Sequence, residues 1–312
     1  MNLTKIHSIT KKITVALLGG FLLIFILFHA CANLCILRND DGAWYSAFCH
    51  FMGTNYIVKV VEVFLLLFIF AHICITLWLA YTNYKARGSV RYHHRSRTKT
   101  HSGSKLMMWT GILIFCLLIV HFFHFYFVKL DIVPGEYMVK TEELNKVYKD
   151  KDFAQLVQMA QMYRADPKEI ISDMREQNPE MAEEMEKYIP VLNFMEKAGS
   201  EEGMLSEDGK WIKKINKEEK SMLKECVEGI DVEPDFYTMA RKEFKNPLMV
   251  ILYLVFFVVL FIHMRHGFPS VFQTLGLNNY KYNKFLDAFG LVYAIVVCLM
   301  FTVTVLGVLF FV

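Results

Sequence analysis

Four histidines lie deep inside four separate apolar stretches, one in each: His29, His72, His121 and His263. An ionisable side chain at membrane depth is costly and rare, so each position predicts a functional site. This feature constrains the fold most, because the four rings must be satisfied inside a bundle of helices. The pattern predicts two pairs of imidazoles, each pair holding one metal centre between facing helices.

The chain has 312 residues, 54% of them hydrophobic, which is too apolar for an ordinary soluble domain. A membrane-spanning helix needs about 20 apolar residues. The sequence therefore predicts an all-α membrane protein whose five transmembrane helices form the bundle. We place these helices near residues 13–36, 57–80, 106–129, 247–266 and 286–311.

Charge separates the membrane part from a long hydrophilic insert. Residues 131–245 contain 27 acidic and 18 basic residues, whereas the connection over 81–105 contains seven Lys and Arg and no acid. The positive-inside rule places that connection and the N-terminus in the cytoplasm, so five spans leave the insert and the C-terminus outside. We expect transmembrane helices over 1–130, an extracytoplasmic helical insert over 131–245 and two further transmembrane helices over 246–312.

Two dipeptides inside the insert predict the starts of helices. Asp166–Pro167 and Asn178–Pro179 each place a capping residue before a proline at the first helical position. These signals favour a soluble helical domain.

The depths of the histidines follow from a rise of about 1.5 Å per residue. His29 and His121 lie about 16 and 15 residues along outward-running helices, which places both in the outer half of the membrane. His72 and His263 lie equally far along inward-running helices, near the inner edge. The two levels are about 15 Å apart, as two haem groups with two axial imidazoles each require.

Other kinds of site also use buried histidines. Zinc fits less well, because each level offers two imidazoles and no cysteine or carboxylate cluster. A proton relay, an ion pathway and simple hydrogen bonds to neighbouring helices remain open. Gly19 and Gly111 each lie ten residues before a deep histidine, where they predict either close approach of the other macrocycle's edge or plain close packing of helices.

The membrane part resembles a known family, the cytochrome b membrane-anchor subunit of succinate:quinone oxidoreductases and quinol:fumarate reductases, in its single-subunit, five-helix, dihaem form. The resemblance covers residues 5–130 and 246–312. The stretches that carry it are Lys11-Lys12 followed by GGFLLIFILFHACANL, then HFMGTN, VVEVFLLLFIFAH, WTGILIFCLLIVHFFHF and HMRHGFPSVFQTLG. The insert departs from the short connection usual in this family.

The resemblance implies two haem b groups, with His72 and His263 as ligands near the cytoplasmic side and His29 and His121 near the outer side. His263 is preferred to His266 because it stands four residues before Gly267, as in the family's His-x-x-x-Gly pattern. The resemblance also implies menaquinone or a related quinone as substrate, and a bacterial inner membrane.

The implied partners are a flavoprotein subunit and an iron–sulfur subunit on the cytoplasmic face, which carry the succinate/fumarate chemistry. The resemblance allows a homodimer of the complex, and no nucleic acid is expected. This chain has no dicarboxylate site, Rossmann fingerprint or cluster-binding cysteines, so it is expected to be the membrane arm alone. A basic surface can meet an acidic partner or anionic lipid. Its residues are Lys85, Arg87, Arg91, Arg95, Arg97 and Lys99.

Further polar residues are candidates for supporting roles. Arg265 and His266 can bind haem propionates, or Arg265 can reach lipid headgroups. His124 can serve a quinone carbonyl or an outer propionate. Glu62 is the one carboxylate well inside a predicted span, where it can accept a proton from quinol or simply bond the bundle. A proton exit can continue through the outer loop, over His50, Asp40 and Asp41.

Two rival functions come from different classes. One is the cytochrome b subunit of another quinone-linked reductase, such as a hydrogenase or formate dehydrogenase. The other is a haem-free membrane protein, either a transporter or an assembly factor. Haem content distinguishes the haem-free protein from both cytochromes. The soluble partner distinguishes the two cytochromes from each other.

Overall fold

A computed structural model describes most of the chain. The predicted basic surface falls largely outside the described residues, because Arg91, Arg95, Arg97 and Lys99 and the side chain of Arg87 are not among them; Lys85 is described and exposed. The described ranges are 8–87, 102–163, 165–200, 204–206, 209–226 and 229–311.

Five helices are long and apolar enough to cross a membrane, as predicted. The last two begin close to the ends of polar connections; for example, the side chain of Asn246 caps the first turn before Pro247. The five helices are α1 (Ser8–Leu34), α3 (Tyr56–Arg87), α4 (Ser102–His121), α13 (Pro247–Thr274) and α14 (Tyr280–Phe311).

Four of these helices form a ring. Helix α1 packs against α3 and α13, and α4 packs against the same two helices, so the order around the ring is α1, α3, α4, α13. Helix α14 packs outside the ring, against α13 and α1. Its approach is close because Gly290 meets Phe268 and Gly307 meets Leu37 without intervening side chains.

Large apolar side chains cover the outer surface of these helices. On α3, Phe64, Leu67 and Phe70 are at least half exposed, whereas His72 is partly buried. Apolar exposure of this kind is expected where a helix faces lipid rather than water. His72, the polar residue of this segment, thus lies toward the neighbouring helices.

The chain divides into two compact units. The first, the membrane unit, consists of residues 1–37, 51–122 and 241–312, and the second, the insert unit, consists of 38–50 and 123–240. The helices of the connections and the insert are α2 (Ala43–Thr54), α5 (Phe127–Lys129), α6 (Thr141–Lys149), α7 (Lys151–Tyr163), α8 (Pro167–Gln177), α9 (Pro179–Glu186), α10 (Ile189–Ser200), α11 (Lys217–Cys226) and α12 (Phe236–Phe244).

The prediction of a wholly helical insert was wrong, because the insert unit also contains a small sheet. Strands β1 (Tyr137–Lys140), β2 (Trp211–Ile215) and β3 (Val232–Pro234) pair antiparallel in the order β2-β1-β3. The β1–β2 register shifts between Tyr137 and Val139, and Lys214 takes a positive φ of 61° opposite that shift. The fold of this unit is therefore α+β.

The predicted helix starts of the insert are confirmed. The side chain of Asp166 accepts a hydrogen bond from the backbone N–H of Lys168, and that of Asn178 accepts one from Met181. Behind these helices, Tyr137, Leu156 and Ile215 are fully buried in one apolar core. The insert thus has the packed interior of a soluble domain.

The connection between α1 and α3 does not stand apart as a short loop. It contains α2, and residues 38–50 belong to the insert unit. Successive spans alternate in direction, so this connection and the insert must emerge on the same side of the membrane. Their joint packing in one unit agrees with that alternation.

Candidate functional site

Each predicted histidine pair is carried by helices that lie diagonally across the four-helix ring. His29 is on α1 and His121 ends α4, while His72 is on α3 and His263 is on α13. All four residues are partly buried. The two diagonals of the four-helix ring cross its interior. Both histidine pairs therefore lie toward the middle of the bundle.

The first pair comes together directly. The ring centroids of His29 and His121 are 6.0 Å apart, and the ring planes are nearly perpendicular at 83°. A metal–imidazole bond is about 2 Å long, so two rings sharing one metal on opposite sides have centroids about 6 Å apart. Phe25 stacks on His29 at 5.5 Å, and Phe301 lies 5.8 Å from it. The separation suits a shared axial pair in an aromatic setting.

Polar groups adjoin both rings of this pair. The hydroxyl oxygen of Tyr253 lies 3.4 Å from Nδ1 of His121. The side-chain amide of Asn33 donates to the backbone carbonyl of His29 at 2.8 Å and lies 3.4 Å from its ring nitrogens. Ligating histidines usually use their second nitrogen for such a neighbour. Tyr253 is placed to serve His121 in this way.

His263 has the most definite surroundings of the four. Its Nδ1 lies 3.1 Å from the hydroxyl oxygen of Thr110, a buried residue on α4. A Cβ added to the adjacent Gly111 would lie 3.6 Å from Cε1 of the same ring. Thr110 and Gly111 together form the surface of α4 that the His263 ring contacts, which we call its seat. The Thr110 hydroxyl provides the hydrogen-bonding group, and Gly111 provides the space for close approach.

His72 sits against α1 in a different environment. A Cβ on Gly19 would lie 3.5 Å from Cε1 and 3.9 Å from Nδ1 of this ring. The Nδ1 atom is buried and has no side-chain partner among the described residues, and the backbone of Val15 on α1 is the polar group beside this ring. His72 thus lies against the backbone of α1 at Val15 and Gly19.

The two glycines confirm that the histidines occupy two levels. Gly19 lies ten residues before His29 on α1, and Gly111 lies ten residues before His121 on α4, a distance of about 15 Å along each helix. His72 and His263, which contact these glycines, are therefore about 15 Å from the first pair. In the structure, Gly19 faces the imidazole of His72 and Gly111 faces that of His263.

A bare metal centre does not fit the described residues. Within the described ranges there is no group of three or more His, Cys, Asp or Glu side chains that could hold a metal ion. A structural or catalytic zinc site needs three or four protein ligands. Pairs of imidazoles instead suit a metal whose remaining positions are filled by a macrocycle.

The other predicted site residues occupy separate places. Glu62 is partly buried near the start of α3, in the membrane unit, whereas His124 belongs to the insert unit. Arg265 and His266 are partly buried on α13 within one turn of His263. Arg265 and His266 thus adjoin the second pair, while the two quinone candidates come from different units.

A π-helical turn over Phe122–Tyr126 follows His121 directly and contains His124. Single π-turns inside helices are uncommon and often occur at functional sites. The wider turn changes the direction of the side chains that follow it, so His124 is not simply one α-helical turn beyond His121. Nothing in the residue pattern FFHFY predicts this, because the local spacing is compatible with an unbroken α-helix.

A second polar cluster, which sequence reasoning largely missed, lies in the insert unit. Nδ1 of His50 pairs with the carboxylate of Glu233, and Nζ of Lys140 lies 2.9 Å from Nε2 of His50. Burial raises the pKa of Glu233, and the interaction with His50 opposes that rise. Lys213, almost fully buried, pairs with Asp41 at 3.2 Å, and Asp40 pairs with exposed Arg38.

These contacts show that two of the three residues suggested for a proton exit, His50 and Asp41, hold the α1–α3 connection to the insert. His50 and Asp41 come from the connection, and their partners come from the sheet of the insert unit. No spacing in the sequence could have paired residues more than 170 positions apart. The acidity of the insert was the one available signal.

Comparisons with protein-family models, with curated proteins and with solved structures found no match to this chain.

Proposed function

We propose that this chain is the dihaem cytochrome b subunit of a quinol:fumarate reductase or succinate:quinone oxidoreductase. The observation that carries the proposal is the placement of two imidazole pairs on the two diagonals of one four-helix ring, at levels about 15 Å apart. A bundle that builds cofactor sites from facing helices has this construction. The choice of this enzyme complex rests on the resemblance of the membrane part to that family.

The donor set fits haem. The 6.0 Å separation of His29 and His121 would suit two imidazoles on one iron, and the hydroxyl beside Nδ1 of His263 leaves its Nε2 for a metal. Bound haem would supply one-electron redox chemistry at each level. The protein's part is to orient the imidazoles, to exclude water with aromatic side chains and to fix the distance between the levels.

Electron exchange with a membrane quinone, menaquinone or a relative, is proposed for the outer level. Glu62 is the proposed acceptor of a quinol proton, and His124 is proposed to bond a quinone carbonyl or an outer propionate. Arg265 and His266 lie beside His263 on α13, where they would pair with propionates of the inner group. Each of these roles rests on position and residue chemistry.

The proposed setting is a bacterial inner membrane, with the N-terminus in the cytoplasm and the insert and C-terminus outside. A flavoprotein subunit and an iron–sulfur subunit would dock on the cytoplasmic face, where Lys85 is exposed at the end of α3. They would carry the dicarboxylate chemistry, and a homodimer of the whole complex is part of the proposal.

The test is a dithionite-reduced minus oxidised spectrum of the purified protein, with haem quantified per chain. We expect about two b-type haems. His72→Ala or His263→Ala should remove one haem, and His29→Ala or His121→Ala should remove the other, because a group held by two axial ligands is lost with either. His94→Ala, in the connection over 81–105, is the control and should retain both.

Other outcomes identify the rivals. A haem-free wild-type protein would leave a transporter or an assembly factor. Two haems with a co-purifying hydrogenase or formate dehydrogenase would assign the chain to another reductase. Variants of one pair that remove haems from both levels equally would contradict the pairing.

A further inference from the structure

The hydroxyl of Thr110 has one proton and three polar neighbours. Its oxygen lies 3.1 Å from the backbone carbonyls of Leu106 and Met107 on its own helix, and 3.1 Å from Nδ1 of His263 on α13. Threonine is itself buried here, so no solvent competes for these bonds. The hydroxyl can donate to only one kind of partner and must accept from the other.

A neutral imidazole carries one N–H, and the nitrogen that binds a metal must be the one without it. If His263 binds iron through Nε2, Nδ1 carries the proton and must donate. The Thr110 oxygen is then the acceptor, and its own proton goes to the carbonyl of Leu106 or Met107. All the bonds in this set are satisfied at once only in this arrangement.

We propose that Thr110 is a positioning residue for His263: it accepts the Nδ1–H, fixes the tautomer and ring orientation, and makes the imidazole a stronger donor. This inference rests on the proposed function. Gly111 completes the seat, because the ring packs 3.6 Å from the position of a Cβ there. His72 at the same level has no hydroxyl in the corresponding place: its Nδ1 has no side-chain partner among the described residues, and the backbone of Val15 is the polar group beside the ring. Of the two imidazoles at this level, His263 is therefore the one positioned by a side chain.

The experiment compares Thr110→Val, Thr110→Ala and Thr110→Ser, with haem per chain and the midpoint potential of each haem as readouts. Loss of such an outer contact typically costs 10- to 100-fold in metal affinity. We expect Val and Ala to lose inner haem on dilution or dialysis about 10- to 100-fold more readily than wild type. Any inner haem that remains should have a raised potential, because a less basic imidazole stabilises the oxidised iron less. Ser should restore both properties.

Thr302→Val is the matched control. Thr302 also lies on a membrane helix and donates to the carbonyl four residues earlier, at 2.8 Å. It should leave both haems unchanged. The outer haem is an internal control for folding, because its ligands do not contact Thr110, and the Ala variant serves if Val fails to accumulate.

The outcomes separate the two proposals. Wild-type protein without haem would overturn the proposed function itself. Two haems in wild type, with Val, Ala and Ser all equal to wild type in inner-haem retention and potential, would overturn the role of Thr110 alone. Equal loss from both levels would show a general effect of the substitution on the fold and would also count against the positioning role.

Discussion

At the scale of single residues, the four imidazoles all lie within the four-helix ring but differ in their hydrogen-bonding neighbours. His263 has a hydroxyl at 3.1 Å and His121 has a phenol at 3.4 Å, whereas His72 lies beside the backbone of Val15. A neighbour that bonds one ring nitrogen orients the imidazole, so these differences predict unequal attachment of a ligand rather than four equivalent sites. The sequence shows four similar histidines in four similar apolar settings and gives no hint of this inequality.

Gly42 is a residue whose replacement should be costly. Its φ is +74°, and an added Cβ would overlap the ring of Tyr237 within the insert unit. We expect Gly42→Ala to destabilise the protein by more than about 1 kcal/mol, because a left-handed conformation alone costs an L-residue about that much. Thermal unfolding in detergent, followed by circular dichroism, measures the effect.

Gly53→Ala is the matched control for that substitution. Gly53 lies in α2 with nothing within 4 Å of its Cβ position, so alanine should be neutral or stabilise the protein by up to about 1 kcal/mol. A Gly42→Ala protein as stable as Gly53→Ala would show that the loop readily takes another conformation.

Tyr188 should make stability depend on alkaline pH. Burial raises its pKa to about 12, and its hydroxyl also donates to the carboxylate of Asp150 at 2.6 Å. A raised folded-state pKa gives stability that is complete below the unfolded value near 10 and is lost as the pH rises toward 12. Between pH 9 and 12, the Tm of wild type should therefore fall more than that of Tyr188→Phe. Parallel falls would place the phenol in solvent.

At the scale of elements, the membrane helices follow from the sequence because length and apolarity alone determine a span. Their partners do not follow, since an apolar helix can pack in a bundle on several faces. The glycines illustrate this point. The sequence places Gly19 and Gly111 ten residues before a deep histidine, but only packing shows that each faces an imidazole of another helix. The π-turn after His121 and the three short strands were missed, because segments of three to five residues carry too little periodicity.

The seat at Gly111 predicts a graded response to side-chain size. Alanine should be accepted, because its Cβ would make an ordinary contact at 3.6 Å with His263. Leucine should displace the ring, so Gly111→Leu should lose one of two haems while Gly111→Ala keeps both. Haem per chain in purified protein is the measurement.

Gly53→Leu is the control for added bulk away from the histidines. Gly53 lies in α2 with nothing within 4 Å of its Cβ position. This variant should retain both haems. Wild-type haem content in Gly111→Leu would mean that His263 does not depend on close contact with α4.

At the scale of the whole molecule, five spans and two connections in one insert unit determine which segments share a side of the membrane. Residues 38–50 pack with residues 123–240, and both lie between oppositely directed spans. The exposed end of α3 at Lys85 is then on the other side. Which side is the cytoplasm rests on the positive-inside rule.

Cysteine labelling tests that orientation. In a cysteine-free background, Glu176→Cys in the exposed part of α8 should react with a membrane-impermeant maleimide on intact cells. Lys85→Cys at the exposed end of α3 should react only after the membrane is permeabilised. The opposite result would invert the orientation, and labelling of both sites on intact cells would contradict the alternation of spans.

The sequence by itself determined the number of helices long and apolar enough to span a membrane, and the spacing between the two histidine levels. These depend on apolar length and on a fixed rise per residue, which are local properties. The tertiary structure alone decided that the histidine pairs lie on diagonals, that Thr110 meets His263 and that the α1–α3 connection joins the insert. Those facts depend on which surfaces meet, and contacts such as His50 with Glu233 join residues too distant in the chain for any spacing rule to connect.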